Sequence, residues 1–234
     1  MRWSNSPWLR FVPLALAAAL LAVPGIAAAQ VLSCRSGQDA IERRAFSTAL
    51  SHLTRCLETE GLSMRDVAAA LHLRALAHAN TGEPLKASED YRRSLELRPP
   101  QVAWDLIQFG IYLREAGKAA ESLQVLERAL ALDEDGPGSG PGIAAYFQLG
   151  WTLHELRRYA EAADAYSRGI LKQPGFEGIY LRRALSLEAI GERDKARADI
   201  AKIVEIGRQR GLDPATAPEE YKSKFIEYGL LPKE

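Results

Sequence analysis

A chain of 234 residues is long enough for one substantial domain, and its 30 basic and 30 acidic side chains leave no net charge. That balance gives no reason to expect nucleic acid or an anionic membrane surface as the main partner, because Lys and Arg are scattered rather than gathered on one stripe. Abundant alanine and leucine favour helix.

The chain opens with "MRWSNSPWLR", which holds Arg2 and Arg10 and no acid. An apolar run, Phe11 to Val23, follows, and then "PGIAAAQ" with Ala27 and Ala29 at small-residue positions before Gln30. This is the three-part layout of a secretory signal peptide over residues 1–29. The alternative is an uncleaved anchor, but a membrane span needs about 20 apolar residues and Pro13 interrupts this shorter run. Cleavage after Ala29 removes two arginines and no acids, leaving a mature chain of net charge −2.

Residues 30–66 hold both cysteines, Cys34 and Cys56. Phe46, Ala49, Leu53 and Cys56 have the spacing of one helix face, and "LSCRSGQDAIE" supplies a preceding helix. Cys34 and Cys56 then fall on the two members of an antiparallel pair, where their alpha carbons can approach closely enough for a bridge. Export to an oxidising compartment makes that disulfide the expectation. Closing a loop of 21 residues stabilises by about 3 kcal/mol on chain-entropy grounds. The other reading takes "VLSC" as a lipid-attachment signal, which Leu32 and Gln30 fit poorly and which leaves Cys56 unpaired. Ser63 and Asp66 form a capping box that opens the next helix.

From there the sequence repeats itself. Tyr146, Leu149, Gly150, Leu153, Ala162, Tyr166 and Pro174 align with Leu71, Ala75, His78, Gly82, Ala87, Tyr91 and Pro99 upstream. They align again around Leu106, Phe109, Gly110, Gly117 and Ala129, and downstream around Tyr180, Ala184, Leu187, Gly191, Ala196 and Ile200. Repeats over 68–101, 103–136, 143–176 and 177–210 begin 35, 40 and 34 residues apart. The longer step contains "DEDGPGSGPG", residues 133–142, a tolerated insertion at a junction rather than a phosphate loop, since no Gly-Lys-Ser/Thr follows. Ala75, Gly110, Gly150 and Ala184 mark where two helices approach most closely, with Ala87, Ala162 and Ala196 as small partners. In the tail, residues 211–234, Tyr221, Phe225 and Tyr228 have the spacing of a helix that covers the last repeat.

This pattern resembles the tetratricopeptide repeat, a 34-residue unit with the signature W-x2-L-G-x2-Y, A-x3-F and P. The resemblance implies an all-α fold, a right-handed α-solenoid of stacked antiparallel helix pairs with a C-terminal capping helix. In the family register, the groove positions take Trp104, Ile107, Ile111, Arg114 and Glu115, then Phe147, Trp151, His154 and Glu155. The flanking repeats supply His72 and Asn80 on one side and Leu181, Leu185 and Glu188 on the other. Such a groove implies a protein or peptide partner held by its helix or extended segment. The family variant that clamps a carboxyl terminus with basic and amide residues is not matched, because His72, Leu76 and Ile111 stand in the groove. Trp104 and Trp151 also admit a packing role, against a neighbouring helix or a C-terminal helix lying in the groove.

The signal, the cysteine pair and text such as "IQFGIYLREAGKAAESLQVLERALALD" make the chain similar to exported bacterial tetratricopeptide proteins, including envelope adaptor lipoproteins. A periplasmic scaffold is the function this implies, with membrane attachment only if Cys34 is lipidated or the signal stays in place. A lipid-anchored adaptor for cell-wall enzymes or proteases is the alternative. An enzyme or small-molecule binder is the third reading. His52, His72, His78 and His154 lack metal-ligand spacing, no serine sits in a nucleophile elbow, and the acids read as solvated helix positions. No cofactor, metal or catalytic residue is expected.

Overall fold

The computed structural model describes residues 27–100, 102–134 and 142–232. Most of the expected signal peptide and most of the Gly/Pro-rich insertion lie outside the described residues. Among the described residues the chain is all helical, with eleven α-helices and a 3-10 turn. They are α1 (Ala27–Glu42), α2 (Phe46–Leu57), α3 (Met64–Asn80), α4 (Pro84–Leu97), α5 (Ala103–Glu115), α6 (Ala119–Glu134), α7 (Ile143–Glu155), α8 (Tyr159–Lys172), α9 (Glu177–Ala189), α10 (Arg193–Gln209) and α11 (Glu219–Glu227), with the 3-10 turn at Pro214–Thr216 before α11. Of the described residues, those from 27 to Val125 form one compact body and those from Leu126 another, the division falling inside α6.

In the N-terminal body α1 packs on α2 and α3 on α4, while α2 stacks on α3 and α4 on α5. The Ser122 hydroxyl of α6 donates to the Gly110 carbonyl of α5 at 2.8 Å, a buried contact. Cys34 and Cys56 are joined by a disulfide, with alpha carbons 4.9 Å apart. Cys56, Leu53 and Ala49 of α2 pack with Ala40 and Ile41 of α1 and with Ala70 and Ala77 of α3 in one apolar cluster. Ser63 caps α3 by accepting from the Asp66 amide at 3.1 Å, and its hydroxyl donates to Asp66 Oδ2 at 2.5 Å.

In the C-terminal body α7 packs on α8 and α9 on α10, with α8 stacked on α9. Gly150 of α7 is required by its neighbour: a Cβ there would meet the Tyr166 ring at 2.6 Å, and Tyr166 is fully buried. Ala162, Ala184 and Ala196 are also fully buried at the expected close approaches. Beyond α10, the aromatic face of α11 buries Tyr221 and Phe225, and Tyr228 is buried just after it.

The sequence pattern places the acids at solvated helix positions, and four of them depart from it. Asp90, Asp105, Glu177 and Asp199 are buried. Arg74 of α3 makes a two-pronged contact to Asp90 of α4, at 2.6 and 2.8 Å. Arg183 of α9 does the same to Asp199 of α10, at 2.8 and 2.6 Å. Each arginine also reaches back to a hydroxyl on the preceding helix, Arg74 to Thr54 of α2 at 3.4 Å and Arg183 to Ser167 of α8 at 2.9 Å. Glu177 is held by Arg210 at 2.8 Å. A carboxylate loses its hydration on burial, and the arginine fork restores both charge balance and hydrogen bonds.

Candidate functional site

The central residues expected to line a groove fall on α5 and α7, one helix in each body, with the flanking ones on α3 and α9, and the environments of α5 and α7 differ. On α5 every residue from Asp105 to Arg114 is buried, so Ile107, Ile111 and Arg114 do not form an open wall. The cause is in the sequence: "LIQFGIYL" is apolar nearly all round, and such a helix is buried on every side. Arg114 lies 3.7 Å from Glu115, and of the expected α5 residues only Trp104 and Glu115 are partly exposed. The Trp104 indole nitrogen is itself shielded from solvent and donates no hydrogen bond within the described chain.

On α7 the expected residues separate by depth. Phe147 is buried, packing edge-on to Tyr166 at 6.0 Å and to Phe176 at 5.6 Å. It is a core residue rather than a presented one: small Gly150 makes room for the Tyr166 ring against which Phe147 packs. Trp151 stands above it, edge-on at 5.8 Å, and is half-buried. His154 is half-buried and Glu155 is exposed. Trp151, His154 and Glu155 therefore form the accessible part of the expected set in this body.

Residues the repeat register did not single out complete the arrangement. The Arg182 guanidinium of α9 lies over the Trp151 ring, 4.0 Å from its centre. Such a stack is stabilising by about 0.5–2 kcal/mol and presents a cation held against an aromatic face. Arg182 is also 3.6 Å from Glu220 of α11. Ser186 of α9 lies 2.9 Å from His154 Nδ1, and its hydroxyl donates to the Arg182 carbonyl at 3.1 Å. With the serine proton so placed, His154 donates through Nδ1. Burial, and then the Arg182 charge, hold the His154 pKa below the usual imidazole value. Arg182 lies one residue past a register position, and its role depends on which ring the preceding repeat offers, so no single repeat's pattern could reveal it.

Glu188, a register position, is engaged by α11. Lys224 Nζ contacts its two carboxylate oxygens at 2.9 and 2.8 Å, and the Tyr228 hydroxyl donates to Oε1 at 2.6 Å. A separate cleft of about 420 Å³ has Tyr146, Leu149, Leu153 and Ala165 as its floor, with Arg158, Asp164 and Arg168 at its rim, and includes none of the expected groove residues. Among the described residues no group of His, Cys, Asp and Glu could hold a metal ion, and no helix is long and apolar enough to cross a membrane.

Family profiles of the tetratricopeptide repeat match residues 66–135 and 143–171. These residues are tetratricopeptide repeats. Comparison with curated protein sequences finds no significant match. Among solved structures it is similar to MamA from Desulfovibrio magneticus RS-1, residue 41 to the end, with a TM-score of 0.67 and 18% identity over 79% of this chain and 98% of that one. A crystal structure of MamA protein gives 0.65 and 20%, covering 78% of this chain and 93% of the other. YrrB, described as a TPR protein with an unusual peptide-binding site, gives 0.61 and 17%, covering 79% and 93%. At such identities the likeness is one of fold.

Proposed function

We propose that this protein is a non-catalytic scaffold of the bacterial periplasm, released from its signal peptide at Gln30, that holds a helix or extended segment of a partner protein. The observation that carries the reading is Trp151, a half-exposed tryptophan at a groove position of a tetratricopeptide repeat, roofed by a stacked arginine. Tryptophan and arginine are the side chains most often found to dominate binding energy. His154 and Glu155 at its edge give polar groups that orient a ligand. Peptide binding by the structurally similar YrrB supports the kind of partner. The disulfide supports export, and it engages the Cys34 sulfur that a lipid anchor would require.

Two substitutions test the groove. Trp151→Ala removes the edge-on ring contact and the arginine stack, costing about 2 kcal/mol of stability, and it abolishes capture of envelope proteins. Glu155→Arg reverses an exposed charge and weakens the same capture. A partner retained at full strength by both variants rules the α7 face out as the binding surface. Intact-mass measurement of the exported protein tests the compartment: the chain starts at Gln30, two hydrogens lighter than its reduced form. A diacylglyceryl mass on Cys34 establishes the lipid-anchored adaptor instead.

A further inference from the structure

The last repeat carries a helix of its own chain. α11 has nine residues, fewer than the roughly 12–15 that an isolated helix needs in water, so its form depends on the surface beneath it. Tyr221 and Phe225 anchor it by burial. Its charges meet opposite charges on α9 in order along the helix: Glu220 faces Arg182 at 3.6 Å, and Lys224 faces Glu188 at 2.8 Å. Glu188 stands at a groove position, and Arg182 is the residue stacked on Trp151. Ordered charge pairs flanking apolar anchors are what select a helical ligand and fix its direction.

We propose that α11 is an intramolecular occupant of a helix-binding face formed by α9, with α10 beside it where Arg193 meets Glu227 at 3.2 Å, and that the partner presents an amphipathic helix of the same chemistry. That helix carries an acid followed at once by an aromatic residue, then a lysine and a second aromatic residue one turn later, as Glu220, Tyr221, Lys224 and Phe225 do. The proposal rests on the groove-binding reading above and adds to it the partner's pattern and the segment it displaces. A face already filled binds an external helix more weakly, in proportion to the fraction of molecules in which it stands open.

The test changes α11 and leaves the α9 face intact. The full chain carrying Lys224→Glu and Phe225→Ala loses one anchor and sets an acid against Glu188. A fluorescent peptide of residues 217–231 with the natural sequence is titrated into this variant and into the unmodified chain. The opened variant binds it about tenfold or more tightly than the unmodified chain, and a peptide with Glu220→Lys and Lys224→Glu binds neither. A folded variant that binds the natural peptide no better than the unmodified chain overturns the proposal. A variant that loses helical signal beyond that of α11 overturns it too, because α11 is then an integral part of the fold. Either failure leaves the Trp151 capture experiment unaffected, so the two readings fall separately.

Discussion

Arg157 holds a left-handed backbone, φ 60°, at the turn between α7 and α8. Gly82, Gly117 and Gly191 adopt the same conformation at the corresponding turns of the other repeats, and Arg44, φ 58°, does so between α1 and α2. A side chain in this region costs about 1–2 kcal/mol. Arg157→Gly relieves it, partly offset by the greater freedom of glycine in the unfolded chain, and raises stability by about 1 kcal/mol in urea unfolding. Gly150→Ala acts in the opposite sense. Its methyl group meets a buried tyrosine ring rather than the free end of a flexible chain, so a loss of about 1–3 kcal/mol follows. His72 and His154 supply a pH dependence. Burial is the main cause that lowers both pKa values, with Asp105 opposing it and Arg98 adding to it at His72, and Arg182 adding to it at His154. The unfolded chain therefore takes up these protons first as pH falls below about 6.5. The stability they contribute is complete above that pH and is lost on acidification, so the melting temperature drops from pH 7.5 to 5.5. His154→Gln flattens part of that slope.

At the scale of elements, the helix pairs are held by two different devices. Small residues let helices approach at Gly150 and Ala162, whereas a buried ion pair ties α3 to α4 and α9 to α10. Asp199→Ala strands Arg183 and costs about 3–5 kcal/mol, while Arg183→Met combined with Asp199→Leu stays close to neutral. Urea unfolding of the two variants measures both. A pair contributing nothing would leave Asp199→Ala as stable as the parent. The small-residue contacts were legible in the sequence because steric closeness admits few residue types, so Gly and Ala recur in register. The ion pairs were not, because an arginine or aspartate suits a solvated helix face equally well, and only the facing helix distinguishes the cases. The same holds for the site. Trp151 stood out as a large ring where the fold does not need one, but Phe147 looked identical in register and lies in the core. Arg182 gave no signal until its ring partner was in place.

Over the whole molecule, the disulfide ties α1 to α2 in the first described helix pair. Replacing Cys34 and Cys56 by serine removes about 3 kcal/mol and speeds hydrogen exchange over α1 and α2 before the rest of the chain. Unchanged exchange there would mean that the bridge does not support this pair. A broader consequence follows from the contacts between successive repeats. The twenty-fifth residue of one repeat meets the seventh of the next: Thr54 bonds Arg74, Ser167 bonds Arg183, and Arg92 lies 5.5 Å from the centre of the Phe109 ring. These pairs work as matched keys, hydroxyl to guanidinium and guanidinium to ring. Neighbours in the array are therefore not interchangeable. A gene in which the first two full repeats were exchanged would present Thr54 to a phenylalanine. A module moved into another protein would need the preceding helix moved with it. The order of the repeats is written into their edges.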